Sequence, residues 1–572
     1  MRHLLRIVAC GFILMAPAAA VAEDATGDIK ASAEAFMHDN HIPGMALAVT
    51  SRDGTLITLY LGTADLKTGR PVTATTLFGI GSITKSMTAV ALLQARDRGA
   101  FDPEKPVTDY LPYFRVHTRY RPIIGRDLLN HTSGLPDGTR DDLTGEYLVD
   151  ALQNVETGFA PGTHWSYSNN GYYTLGYMLE HIDGRSYPDI IRNDLFKALD
   201  MSDSEPATTY EARERMAVGY LNEYDDRPPS PDLPVVEAPF YEADWPDGAA
   251  LSTANDMAKY IRFLLNRGAG PHGQVLSPSS FALLTTPSAN VGSVGAGGTG
   301  GLYTKYAYGL AVHTIDGHSV VGHTGGVLPY TACMEADLDG DFGAVALTNF
   351  GYTAPRPCSV VEYALSIERA LADGKPLPQP SAAQQPGDLL HVKMPAQYAG
   401  TFTAADGEQL VFAAAGDRLY LQSAAGQLPS YPSDTDAFWV GDSRFALYYL
   451  RFARDHAGPY TEVDNGPKRY FAAAYAGPKS STHPQLWDAY AGHYRSVETD
   501  WGNNFRVFAR ADKLWAETPD GGETELVPLP NGAFRVGTDS WSPERISFDT
   551  IVAGHALRAV FSGAPAYRVF TP

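Results

Sequence analysis

The stretch Phe78-Gly-Ile-Gly-Ser82-Ile-Thr-Lys85-Ser-Met-Thr-Ala-Val-Ala-Leu-Leu93 governs how the remaining chain is read. It reads as a turn opening onto a long, nearly all-apolar helix, the pattern of a helix buried in a domain core. Ser82 stands three residues before Lys85, and no other lysine in the chain has a serine at that spacing. Residues three apart on a helix share a face, so the amine lies beside the hydroxyl. A serine hydroxyl is a poor nucleophile until something takes its proton. Desolvation and the positive end of the helix dipole both disfavour an ammonium there, so Lys85 is expected to be neutral at rest and able to act as that acceptor. Ser-x-x-Lys also occurs as a cap followed by a surface lysine, so the pair needs support from elsewhere.

Two further short motifs follow in chain order, of the forms Tyr-x-Asn or Ser-x-Asn and then Lys/His-Thr-Gly. The first is Tyr167-Ser168-Asn169, within Pro161-Gly-Thr-His-Trp-Ser-Tyr-Ser-Asn-Asn-Gly-Tyr172, a loop by its Gly, Pro, Ser and Asn content. The tyrosine can shuttle a proton between nucleophile and leaving group, and the asparagine amide can bind a substrate carbonyl. Tyr220-Leu221-Asn222 has the same spacing without the flanking residues, and Tyr220 is read as ordinary packing. The second element is His323-Thr324-Gly325, led by Val320 and Val321, which suits an edge strand along which substrate lies, with Gly325 and Gly326 permitting close approach. Lys67-Thr68-Gly69 matches more literally. It precedes Ser82, however, and falls between expected strands at 55–61 and 76–80, so it is read as a hairpin turn.

With these three motifs in order, the chain resembles the serine β-lactamase-like, penicillin-recognising hydrolases of class C type, among them DD-peptidases, D-aminopeptidases and certain esterases. The resemblance extends to Leu128-Leu-Asn-His-Thr-Ser-Gly-Leu-Pro136, to Gly248-Ala-Ala-Leu-Ser-Thr-Ala-Asn-Asp-Met257 and to Val345-Ala-Leu-Thr-Asn349, and so covers about residues 30–370. His131 is read as fastening its loop rather than as catalytic. The resemblance implies an α/β fold, an antiparallel β-sheet flanked by helices with an inserted helical subdomain. It implies an acyl-enzyme on Ser82, with Lys85 and Tyr167 sharing the proton relay and either of them the formal base. Asn169, His323, Thr324 and Gly325 would bind substrate, and the backbone N–H groups of Ser82 and Gly326 would form the oxyanion hole. His323 departs from the lysine usual in the β-lactamases of this family. An ordinary histidine is mostly neutral at pH 7, which favours peptidase-like and esterase-like members and slow turnover of β-lactams.

A chain of 572 residues exceeds one core and suggests several domains. Met1-Arg-His-Leu-Leu-Arg6, an apolar run and Ala20-Val21-Ala22 read as a signal peptide over residues 1–22, giving a periplasmic or secreted product with no stable membrane anchor. The net charge of −21, about −23 without Arg2 and Arg6, argues against nucleic-acid or anionic-membrane partners. The expected partner is a small peptide or ester substrate, and oligomerisation stays open. Beyond the leader only Cys333 and Cys358 remain, which an oxidising compartment leaves either bridged or as buried thiols. No metal-binding pattern is present and no cofactor is expected.

The catalytic domain is assigned to residues 23–372 and a proline-rich linker to 373–390. The remaining third of the chain is a repeat of two copies. Tyr398-Ala-Gly-Thr-Phe402 returns as Tyr490-Ala-Gly-His-Tyr494, Asp417-Arg-Leu-Tyr420 as Asp512-Lys-Leu-Trp515, and Ala437-Phe-Trp-Val-Gly441 as Ala533-Phe-Arg-Val-Gly537. Short alternating strands make each copy, 391–479 and 480–572, a small all-β antiparallel barrel. They resemble the lipocalin-like barrels behind the catalytic domain of D-aminopeptidases. Their role is read as support or solubility, the sharper alternative being that the loop 497–504 reaches the cleft and limits substrate length.

Overall fold

A computed structural model describes residues 18–137, 145–229, 234–291, 304–351, 356–380, 388–424, 426–434, 436–454, 457–496 and 504–570. The centre of the first domain is a nine-stranded antiparallel sheet. Its strands run in the order Ala289–Asn290, Lys305–Tyr306, Ala311–Ile315, His318–Val327, Tyr330–Asp337, Phe342–Thr348, Gly44–Ser51, Thr55–Asp65 and Arg70–Pro71. Strand periodicity explains why both faces are covered. Met45, Leu47 and Val49 point into one apolar layer, while Ala46 and Ala48 point into the other. Ala344 and Ala346 alternate with Val345 and Leu347 in the same way.

The helices Ala18–Asp39 and Cys358–Ala372 pack on one face and Ala254–Leu265 on the other. On that second side also lies the helix Thr84–Asp97, whose residues from Thr84 through Leu93 are all buried, as its apolar run predicted. Between Thr84–Asp97 and Ala254–Leu265 the chain makes the expected helical insertion, built around Asn169–Asp183. Ser168 caps that helix, its hydroxyl accepting from the Gly171 N–H at 3.2 Å.

Several expectations are adjusted by the topology. The strand His318–Val327 lies between two neighbours rather than at the edge, yet Ala311–Ile315 pairs only with residues 318–322. Residues 323–326 therefore have no strand partner on one side, although all four are buried, and the motif sits on a local edge inside a wide sheet. The strand expected at 76–80 shortens to Phe78–Gly79 because it pairs only with Leu251–Ser252. Lys67-Thr68-Gly69 is an exposed hairpin turn, with Asp65 accepting from the Lys67 N–H at 2.9 Å and from the Thr68 hydroxyl at 2.7 Å. Tyr220 is structural, its hydroxyl accepting the Leu66 N–H at 2.7 Å.

The back of the chain forms two closed eight-stranded antiparallel barrels, Gly400–Ala404 to Lys468–Ala472 and Gly492–Arg495 to Ala564–Val569. The repeated sequences fall at the first, third and fifth strand of each. Phe402, Phe412, Phe438 and Phe452 fill the first barrel with edge-on ring contacts, so it is a packed core. Most of the expected leader lies outside the described residues, as does the loop 497–504 apart from Asn504. Among the described residues no helix is long and apolar enough to cross a membrane.

Cys333 and Cys358 form a disulfide that ties a central strand to the final helix of the domain across 25 residues. Closing a loop of that size stabilises by about 2–4 kcal/mol. Replacing both cysteines with alanine should lower the urea midpoint of the first domain accordingly; an unchanged midpoint would show that the bridge constrains nothing.

Candidate active site

Ser82 lies in the 3₁₀ turn Gly81–Ile83 that runs directly into the helix Thr84–Asp97. The side chain of Lys85 is fully buried one turn along, and its ammonium donates to Ser82 Oγ at 3.0 Å. It also donates to the Asp247 carbonyl at 3.0 Å and lies 3.5 Å from Asp247 Oδ2. Tyr167 completes the group, its ring centroid 4.9 Å from Lys85 Nζ and its phenol electrostatically coupled to Lys85.

The electrostatics reverse the expected charge of Lys85. Burial pulls its pKa down, while Tyr167, by charge only to the extent that its phenol ionises, and then Asp247 pull it up, and the net shift is upward. The resting amine is therefore an ammonium. Burial pushes the Tyr167 phenol up and Lys85 opposes it, so that group also holds its proton. No sequence motif marks Asp247, although it stands immediately before the Gly248–Met257 match, an acid between Pro246 and Gly248. Thr88, on the same helix as Lys85, donates to the Pro246 carbonyl at 2.6 Å and so fixes this segment. Burial raises Asp247 and Lys85 lowers it.

The Tyr167–Asn169 motif straddles the end of its loop and the start of a helix rather than lying wholly in a loop. His131 fastens it as expected. His131 Nδ1 accepts the Ser168 N–H at 3.1 Å and its carbonyl accepts the Ser166 N–H at 2.9 Å. Its ring lies 4.4 Å from that of Tyr167, and burial holds it neutral. The Asn169 amide oxygen is buried without a hydrogen-bond partner among the described residues.

His323 is neutral too: burial and then Lys85 push its pKa down to about 3, with the Thr324 carbonyl opposing. Its Nδ1 lies 2.6 Å from that carbonyl, which fixes the proton on Nδ1 and leaves Nε2 to accept from Tyr306 Oη at 2.9 Å. Tyr306 is a second partner that no motif marks. Thr324 follows on the same strand and is buried.

The glycines explain how this strand meets Ser82. A Cβ on Gly81, whose φ is +52°, would sit 2.4 Å from Gly326 N, and one on Gly325 would sit 2.1 Å from the Ile80 carbonyl oxygen. The bare backbone of Gly325 thus accommodates the turn before Ser82. This crossing sets the Gly326 backbone against the turn that carries Ser82. Beside it, past Gly79 and Val327, opens an apolar pocket lined by Met216, Phe240, Tyr241, Leu328, Pro329 and Tyr330.

Residues 29–368 match the family model described as Beta-lactamase. Penicillin-binding protein 4 of Amycolatopsis lactamdurans is 33% identical over 303 residues, covering 51% of this chain and 77% of that relative. Penicillin-binding protein 4* of Bacillus subtilis (strain 168) is 25% identical over 405 residues, covering 66% of this chain and 84% of the relative. The octameric penicillin-binding protein homologue from Pyrococcus abyssi superposes with a TM-score of 0.54 at 22% identity, covering 78% of this chain and 99% of that one.

The glycine crossing makes a direct prediction. If Ser82 and the Gly326 N–H serve as the expected nucleophile and oxyanion donor, Gly81→Ala should separate Gly326 N from Ser82 and slow covalent labelling of Ser82 by a fluorophosphonate by about 10²–10³-fold, the cost of losing one such donor. Intact mass spectrometry reads the rate. Labelling at the wild-type rate would show that the close approach is not required.

Proposed function

The chain belongs to the beta-lactamase family, and on that basis we propose that it is an exported serine hydrolase working through an acyl-enzyme on Ser82. The preferred substrates are peptides containing D-amino acids of the cell-wall type. The observation that carries this reading is the contact between buried Lys85 and Ser82 Oγ at 3.0 Å with Tyr167 beside both. Export rests on residues 1–22 alone.

In the proposed reaction the Lys85–Tyr167 pair must first lose a proton, because both groups are protonated at rest. The loss belongs to the pair rather than to either residue. The deprotonated pair takes the Ser82 proton as Oγ attacks the substrate carbonyl, and the same pair returns it to the leaving group. The backbone N–H groups of Ser82 and Gly326 would hold the oxyanion. The Asn169 amide, its oxygen unpartnered among the described residues, would hold the substrate amide, and Thr324 a polar end of the substrate. The apolar pocket past Val327 would take an apolar side chain of the acyl part.

Neutral His323 shapes the choice of substrate. A substrate carboxylate beside the scissile bond finds no cation at position 323, which disfavours β-lactams and cleavage next to a peptide's C-terminal carboxylate, and favours esters and D-peptide amides cleaved away from that end. The same observation supports a carboxylesterase of this family as the second reading.

Acylation should require Ser82. Intact mass spectrometry with labelled penicillin and a fluorophosphonate should find an adduct in the wild type that Ser82→Ala lacks, and an adduct persisting in the variant would exclude Ser82 as nucleophile. Comparing a D-alanyl anilide with a short-chain nitrophenyl ester decides between peptidase and esterase; hydrolysis of the ester alone would exclude the peptidase. Asp247→Asn removes a negative charge that keeps the proton on Lys85. The base form should then be reached at lower pH, and the rising limb of the acylation rate against pH should move downward. A limb that stays in place or moves upward would show that Asp247 does not set the charge of Lys85.

A further inference from the structure

Taking Ser82 as the acylated residue, we propose that the second barrel is part of the scaffold of the active site, and that Glu544 is the positioning residue through which it holds the 167–169 motif in place. The loop carrying this motif is two irregular segments, 131–137 and 158–169, joined by hydrogen bonds. Gly158 N–H donates to the Gly134 carbonyl at 2.9 Å, Gly162 N–H to Thr132 at 2.8 Å and Ser166 N–H to His131 at 2.9 Å. One end of the pair is closed by His131 and the tyrosines of the cleft. The other end rests on the second barrel, on the connection 537–544 between strands Phe534–Val536 and Arg545–Val552.

The contact is built, not incidental. Trp541 stacks on the His164 ring at 4.9 Å between centroids with 6° between planes, and meets Phe159 edge-on at 5.8 Å. Gly158 passes so close that a Cβ there would lie 2.6 Å from Pro543 Cα and from the Trp541 carbonyl oxygen. Glu544 Oε1 accepts the Asp137 N–H at 2.7 Å, while its other oxygen is held by the Ser562 hydroxyl of the same barrel. The Asp137 carboxylate in turn accepts the Asn169 N–H at 2.8 Å. Two hydrogen bonds therefore connect a barrel side chain to the first residue of the helix that carries Asn169. Setting one acid against another opposes ionisation of both, and burial and Glu544 push Asp137 up to about 7. The pairing is kept despite that cost. A second tie holds the same barrel in register, Arg495 pairing with Asp225 and Arg506 with Asp226 at 3.2 Å.

A barrel that served only solubility would need none of these contacts at the motif loop. The positioning role differs from a gate as well, because Glu544 acts through Asp137 and touches no substrate.

The test uses the full chain with Glu544→Ala and Glu544→Gln, the second keeping an acceptor oxygen for Asp137. Two readouts are taken: the rate of fluorophosphonate labelling at Ser82, and hydrogen exchange of amides in residues 158–170 against those of the helix Ala254–Leu265. Glu544→Ala should label roughly 10–100-fold more slowly, the cost of a misplaced catalytic group. Its 158–170 amides should exchange faster while Ala254–Leu265 keeps its protection. Glu544→Gln should recover most of both. Labelling at the wild-type rate, exchange raised equally in both segments, or a glutamine variant as impaired as alanine would each overturn the proposal. If the wild type itself takes no label at Ser82, the acyl-enzyme reading fails, and the exchange comparison alone still decides whether Glu544 holds the loop.

Discussion

A buried ammonium organises the first domain. Lys85 has no exposed surface, so every proton on its nitrogen must find an acceptor inside the protein or cost several kcal/mol. The acceptors come from separate parts of the chain, Ser82 three residues away and the carbonyl and carboxylate of Asp247, and the ring of Tyr167 from the inserted helical region lies beside the same nitrogen. Satisfying that one nitrogen brings together the segments that define the cleft. The apolar helix Thr84–Asp97 is what keeps water from doing the job instead.

Much of this was legible in the sequence because it is local. Ser82 and Lys85 are adjacent on a helix face, the Tyr167–Asn169 motif sits against its own cap, and the strand bearing His323 carries its own glycines. The barrels were legible too, since a repeat with a slowly drifting offset leaves few alternatives. What stayed hidden is what depends on distant chain. The charge of Lys85 is set by Asp247, 162 residues away, and no local pattern reveals that an acid will face an amine. Tyr306 reaches His323 from a two-residue strand too short to carry a periodic signal. One neighbour of Gly325 stayed hidden for a similar reason. The residue asks for a close approach, but the sequence does not say which backbone approaches, and here it is the chain's own Ile80.

The same distinction separates the two halves of the molecule. The barrels fold on internal aromatic cores, and the sequence accordingly describes each as a self-contained unit. Their relation to the first domain is written only in surface residues such as Trp541, Pro543 and Glu544. These look like ordinary turn residues until the fold brings Gly158 and Asp137 against them. A glycine at 158 is required by a barrel far downstream in the chain. Coupling of this kind is invisible to motif and periodicity alike.

The charges of the cleft form one consistent set. Lys85 is the cation among the residues facing Ser82, and Asp247 and Tyr167 hold its proton. His131 and His323 are both kept neutral, first by burial and then by Lys85 itself. A lysine at position 323 would bring a second cation into the same buried space, where the ammonium of Lys85 already opposes protonation of the histidine. The neutral imidazole at that position adds no second positive charge beside Lys85. An arrangement of this kind offers no ion pair to a substrate carboxylate, so in the function proposed above selection among substrates would fall to the Asn169 amide and the apolar pocket beyond Val327.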